Sequence, residues 1–147
     1  MEKPKNIQEL KYLINLATLD EGLFCSLNHI NTSLIDNMSL LFANSRFNGD
    51  ISQWDVSSVR RMDFMFRGSE FNGKLSNWDV SSVEDMSHMF ADSDFKQDIS
   101  SWNVTNVREM NNMFAHSVFS GDVHLWTPPS PNVPFISRKI RGGIVKN

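Results

Sequence analysis

The chain has 147 residues, 40% of them hydrophobic, and a formal net charge of −3. That length suits one domain, and so mild a charge declares no nucleic acid, membrane surface or other charged partner. The single cysteine, Cys25, excludes an internal disulfide and a cysteine-based metal cluster, agrees with a reducing compartment, and is expected in the core as a small hydrophobe.

The opening MEKPKNIQELKYLINLATL carries Glu2, Lys3 and Lys5 and then an amphipathic run. It has the form of neither a secretory signal nor a transmembrane span, so a cytoplasmic location is expected. In residues 6–19, Asn6 can cap a helix, Glu9 follows three positions later, and Ile7, Leu10, Leu13 and Ile14 form an apolar stripe. Residues 1–22 therefore read as a capping helix over whatever follows. A membrane-surface helix would need a basic polar face, whereas here Glu9 is mixed with Lys11.

From residue 47 one phrase recurs: FNGDISQWDV, FNGKLSNWDV, FKQDISSWNV and FSGDVHLW. Phe47, Phe71, Phe95 and Phe119 stand 24 residues apart, and so do Trp54, Trp78, Trp102 and Trp126, the chain's four tryptophans. Further columns hold Ile51, Leu75, Ile99 and Val123; Met62, Met86 and Met110; Met65, Met89 and Met113; and Phe66, Phe90 and Phe114. Residues 23–46 form a worn copy with Leu23, Leu27, Ile30, Ile35, Met38, Leu41 and Phe42 in those columns. A fixed period of this length marks a repeat array, so residues 23–126 read as four full units and a partial fifth. The array stops at TPPSPNVP, which can continue neither strand nor helix.

Within a unit, Trp54 and Val56 alternate as on a strand with one buried face, which predicts a short strand at 53–57. Val59, Met62, Met65 and Phe66 then follow at i, i+3, i+6 and i+7, the spacing of a two-turn helix or 3₁₀ segment. The expected fold is an α/β repeat solenoid, with a parallel sheet of about four or five short strands and short helices on the other side. One such unit buries too little to fold alone, so the units must stack, with the tryptophan rings one coil apart, about 5 Å.

These residues resemble the BspA-like leucine-rich repeats of bacterial surface proteins, whose units read roughly F-N-x-D-I-S-x-W-D-V-S-x-V-x-x-M-x-x-M-F. The resemblance covers residues 23–126 and implies a right-handed coil used as a recognition surface and not as an enzyme. Residues 127–147 then read as a C-terminal cap or basic tail, with Val133, Phe135, Ile136, Ile140 and Ile144 available to cover the last coil.

Chemistry is hard to find in the repeat. Asn-Gly-Asp at a fixed period suits calcium-binding coils, but Lys74 interrupts the Asp50–Asp98 column and Gln97 breaks the glycine column, so no metal is expected. A tight turn in which Asn and Gly supply positive φ explains the phrase instead. His29, His88, His116 and His124 fall in different columns and read as surface residues. The column Ser45, Ser69, Ser93 and Ser117 reads as turn hydroxyls, since no base repeats beside it. No glycine-rich phosphate loop is present, the basic tail is small for nucleic acid, and neither cofactor nor membrane is implied.

The expected function is therefore a non-enzymatic protein-protein interaction module with another protein as partner. On the presumed helical side, Leu40 and Phe64 share an outward column with Arg60, Arg61 and Arg67 close by, the composition of an interface anchor. The presumed sheet side offers a second surface, the polar rows with Gln53 and Asp55, Asn77 and Asp79, and Asn103. Two alternatives stay open: a stoichiometric inhibitor of a bacterial enzyme or nuclease, and an exported adhesin-like fragment.

Overall fold

The computed structural model describes residues 1–127, 138–140 and 143–145. Its helix α1 spans Ile7–Glu21. Asn6 is extended, and its Oδ1 accepts the Glu9 N–H at 2.9 Å while the Glu9 carboxylate accepts the Lys5 N–H at 2.8 Å. One donor that the helix start leaves orphaned, the Glu9 N–H, is thus satisfied, and the Glu9 side chain fastens the residue before the cap. Gly22, at φ 90, ends the helix and returns its N–H to the Thr18 carbonyl. Leu10 and Ile14 are buried in the same core as the first coil, with Ile7, Leu13 and Ala17 packed against it. The helix runs two residues beyond the stretch its sequence pattern marked, and the Glu2 carbonyl ties the preceding segment to the Asn31 N–H.

The coils that follow correct the expected fold class. Among the described residues α1 is the single helix, and there is no parallel sheet. The strands are β1 (Arg138–Ile140) and β2 (Gly143–Val145), an antiparallel pair with Arg138 opposite Val145. Between coils only isolated parallel bridges occur, at Ser26–Asp50, Asn37–Arg61, Arg61–Asp85 and Asp85–Glu109.

The reason lies in where the backbone N–H groups go. At the predicted strand, the Trp54 N–H closes a turn on the Ile51 carbonyl and the Val59 N–H closes another on Val56, so two donors a sheet would need are spent locally. At the predicted helix the donors alternate. Met65, Arg67 and Ser69 bond back to Met62, Phe64 and Phe66, whereas Met62, Phe64, Phe66 and Gly68 donate to Asp85, Ser87, Met89 and Ala91 of the next coil. An α-helix would send all of these to residues four back. Left-handed residues break it as well: Leu40, Phe64, His88 and Asn112 in one column, and Asn44, Gly68, Asp92 and His116 four positions later, all have φ between 54 and 65. Each coil is thus a chain of three-residue turns, tied to its neighbour by backbone bonds 23 to 25 residues apart in sequence.

The core runs along the axis of the stack. Phe42, Phe66, Phe90 and Phe114 stack in sequence at 5.6, 5.5 and 5.8 Å between ring centroids. Phe47, Phe71, Phe95 and Phe119 form a second ladder at 6.2–6.3 Å. Trp54, Trp78, Trp102 and Trp126 are all buried, as their column requires. The Trp102 and Trp126 rings lie parallel at 6.2 Å between centroids, wider than the expected spacing of about 5 Å. Each indole N–H donates one coil back, to Leu27, Ile51, Leu75 and Ile99 carbonyls. Cys25, Leu27, Ile30, Ile35, Met38, Leu41 and Phe42 are buried in the worn first unit, while Leu23 is exposed.

The Asn-Gly reading also changes. Gly49 is not at positive φ; a Cβ there would sit 2.0 Å from the Cys25 carbonyl, which accepts the Asp50 N–H. Close approach of the neighbouring coil, not left-handed backbone, explains the glycine. The side chains of Val133, Phe135, Ile136, Ile140 and Ile144, proposed above as a second cap, lie outside the described residues. No helix among the described residues is long and apolar enough to cross a membrane.

Candidate functional site

The turns carrying Leu40, Phe64, His88 and Asn112 form one outer edge of the stack. Each of these residues sits at the left-handed corner of a turn, which points its side chain away from the methionine and phenylalanine core. Leu40 is 53% exposed and Phe64 half-buried. The Phe64 ring lies flat on the His88 imidazole of the next coil, centroids 4.6 Å apart and planes within 6°. The Arg67 guanidinium stands 5.7 Å from the Phe64 centroid, in cation–π range. The three form a ledge with an aliphatic end at Leu40.

The arginines do not ring Phe64 as their proximity in sequence suggested. Arg61 forks onto the buried Asp63, with Nε and Nη2 each 3.1 Å from a carboxylate oxygen, and reaches Asp85 of the next coil at 3.9 Å. The Ser39 hydroxyl donates to the same Asp63 at 2.5 Å, so this group clamps three successive coils. Arg61 is committed to that clamp and is no free recognition charge. Arg60 lies in a different place, a shallow polar groove lined by Ser57, Ser58, Ser82, Glu84 and Asn106. Arg67 alone serves the ledge, held also by Asp92 at 3.8 Å.

On the face first assigned to a sheet, Gln53, Asp55, Asn77, Asp79 and Asn103 are all exposed. Here too the side chains are partly committed. Oδ1 of Asp55, Asp79 and Asn103 accepts both the N–H and the hydroxyl of the residue two positions on, Ser57, Ser81 and Thr105. These bonds, the hydroxyl first, hold the Asp55 and Asp79 carboxyls below the ordinary carboxylate value. A carboxylate bent into its own turn has less to offer a partner than one standing free.

The serine column is a set of turn hydroxyls: Ser45, Ser69, Ser93 and Ser117 accept the N–H of Phe47, Phe71, Phe95 and Phe119. Asp50 and Asp98 likewise accept the Ser52 and Ser100 N–H groups. His88 is the site residue that sequence reasoning missed. Its 24-residue offset from Phe64 puts it in the column of Leu40, Phe64 and Asn112, but as a histidine with no metal-ligand spacing it was read there as a surface residue.

No curated protein and no solved structure matches the chain. A family model does match, over residues 9–127, from the first turn of α1 through every described coil. The chain therefore belongs to the family described as Mycoplasma protein of unknown function, DUF285.

Proposed function

We propose that this chain is a non-enzymatic protein-binding module whose anchor is the ledge of Leu40 and Phe64, with His88 as its floor and Arg67 at its rim. One observation carries the reading: two bulky apolar side chains occupy left-handed backbone, at φ 63 and 59, without being part of the core. A bulky residue there costs of order 1–2 kcal/mol. The same corner of a later coil holds Asn112, a residue type that tolerates it. Leu40 and Phe64 thus weaken the fold where asparagine would serve, and their use lies outside it.

The partner this ledge fits is a protein presenting an apolar side chain to Leu40 and Phe64 and an acceptor to Arg67, the pairing typical of binding hot spots. The resemblance of the units to BspA-like repeats supports a recognition role. The free thiol of Cys25 favours a reducing compartment, and the cytoplasm is the location we propose.

The test separates binding from folding. Phe64→Asn removes the ring and suits the left-handed corner, so the melting temperature should hold or rise. Affinity for a partner captured by wild-type protein should fall about 30-fold or more, the loss of one hot-spot residue of roughly 2 kcal/mol. The Asp55→Lys, Asp79→Lys variant should retain the partner. Wild-type affinity in Phe64→Asn, with loss in the lysine variant, would move recognition to the opposite face.

A further inference from the structure

The helix α1 has two apolar faces. Leu10 and Ile14 are buried against the first coil, and about 180° away, at the helix's roughly 100° per residue, stand Tyr12, Leu16 and Leu19. They are 64%, 47% and 85% exposed, and beyond Gly22 Leu23 and Phe24 continue the patch at 37% and 78%. The intervals of four and three residues from Tyr12 to Leu16 to Leu19 are those of a helix–helix seam. A face used only for capping would be polar on this side.

From these residues we infer that the outward face of α1 is the interface of a homodimer, in which two copies pair antiparallel about a two-fold axis near Leu16. The argument for a second copy is that the face is complementary to itself. Leu16 is central, and a two-fold rotation there lays Tyr12 of one copy on Leu19 of the other. Charge is divided the same way, if less sharply: Lys3, Lys5 and Lys11 outweigh Glu2 and Glu9 at the start of the segment, and Asp20 and Glu21 make its end negative. The antiparallel pair sets each basic start near the other's acidic end and opposes the two helix dipoles, whereas a parallel pair sets like on like. An isologous contact needs only one such patch, and this chain carries it. So short a seam falls below a standard interface, so the dimer is of micromolar strength. This inference is independent of the Leu40–Phe64 ledge.

Sedimentation equilibrium of the full chain, from low micromolar to near-millimolar protein, should show a monomer–dimer equilibrium. Leu16→Glu should raise its dissociation constant tenfold or more, while Leu125→Glu, at a site 71% exposed in the last described coil, should leave it unchanged. In a Cys25→Ser background, oxidised Leu16→Cys should give covalent dimers. A mixture of Tyr12→Cys and Leu19→Cys should cross-link where Tyr12→Cys alone does not, and this cysteine test decides if circular dichroism shows Leu16→Glu unfolded. A chain monomeric at every concentration, a dimer indifferent to Leu16→Glu, or cross-linking by Tyr12→Cys alone would overturn the inference.

Discussion

Asp55, Asp79 and Asn103 occupy one corner in successive coils and do the same work there, each accepting the N–H and hydroxyl of the residue two positions on. Asn103 shows that a neutral amide oxygen suffices for the turn. The carboxylates differ in one respect, that they titrate. Asp50, Asp55, Asp79 and Asp98 are all held below the ordinary carboxylate value, the hydroxyl of Ser52, Ser57, Ser81 and Ser100 being the first cause. A folded value below the unfolded one gives stability that is present above the unfolded pKa of about 4 and is lost as pH falls through the lower folded value. The double variant Asp55→Asn, Asp79→Asn should therefore match wild type near pH 7 and lose less stability on acidification below about pH 4. Denaturant melts at a series of pH values would measure this. Parallel acid profiles for the two proteins would mean that these corners do not couple folding to protons.

The 24-residue turn spiral is the element that the tryptophans hold together. Trp78 is buried in the middle of the stack, and its indole N–H crosses to the Ile51 carbonyl at 3.0 Å. Trp78→Ala should cost about 3–5 kcal/mol in chemical denaturation, the range for truncating a buried aromatic. Trp78→Phe should cost less, yet still of order 0.5–1.5 kcal/mol, because it loses one buried hydrogen bond, the Ile51 carbonyl keeping only the turn bond from the Trp54 N–H. Equal, small losses in both would show that the indole bridge contributes nothing. The burial of this column was legible because four copies place a tryptophan there and the worn first copy an isoleucine, Ile30, and a position apolar in every copy must face inward whatever the backbone does. The backbone itself was not legible. Val59, Met62, Met65 and Phe66 follow the spacing of a helix, but successive turns closing from residue i+3 to i produce the same spacing. What decides between them is that Met62, Phe64 and Phe66 give their N–H groups to the next coil. A bond between coils leaves no trace in local periodicity. The left-handed corners were hidden for a related reason: Gly68 and Asn44 suit such a corner, but Leu40 and Phe64 do not announce one. Of the proposed ledge, the sequence shows the break in the repeat at Leu40 and Phe64 and the place of His88 in their column, but not the stacking of the two rings.

Across the whole molecule, each coil speaks to its neighbours in the same way, so one coil should be removable if the register of the rest survives. Deleting residues 71–94 would bring Phe95 in behind Glu70. Met62, Phe64, Phe66 and Gly68 would then donate to Glu109, Asn111, Met113 and Ala115, the equivalents one coil on of their present acceptors. The Trp102 indole would find the Ile51 carbonyl in place of Leu75, and the Lys96 N–H would find Asn48 in place of Asn72. Arg61 would face Glu109 where it now faces Asp85, and Phe66 would stack on Phe114 in place of Phe90. The backbone and indole bonds between coils thus have successors of the same kind, while Phe64 would meet Asn112 in place of His88 and Arg67 would meet His116 in place of Asp92; the net loss is those two contacts, one coil and one coil–coil interface. The deletion should fold cooperatively at a lower melting temperature. Its denaturant m-value should fall by about a sixth, in proportion to the 24 of 147 residues removed. Deleting only 71–82 should abolish folding, since Val83 would enter the Phe71 position and every later column would fall half a coil out of step. Circular dichroism and urea melts of the two deletions decide the matter: a shortened chain that fails to fold when a whole unit is removed would show that the coils are not interchangeable and that the stack depends on contacts particular to its third unit.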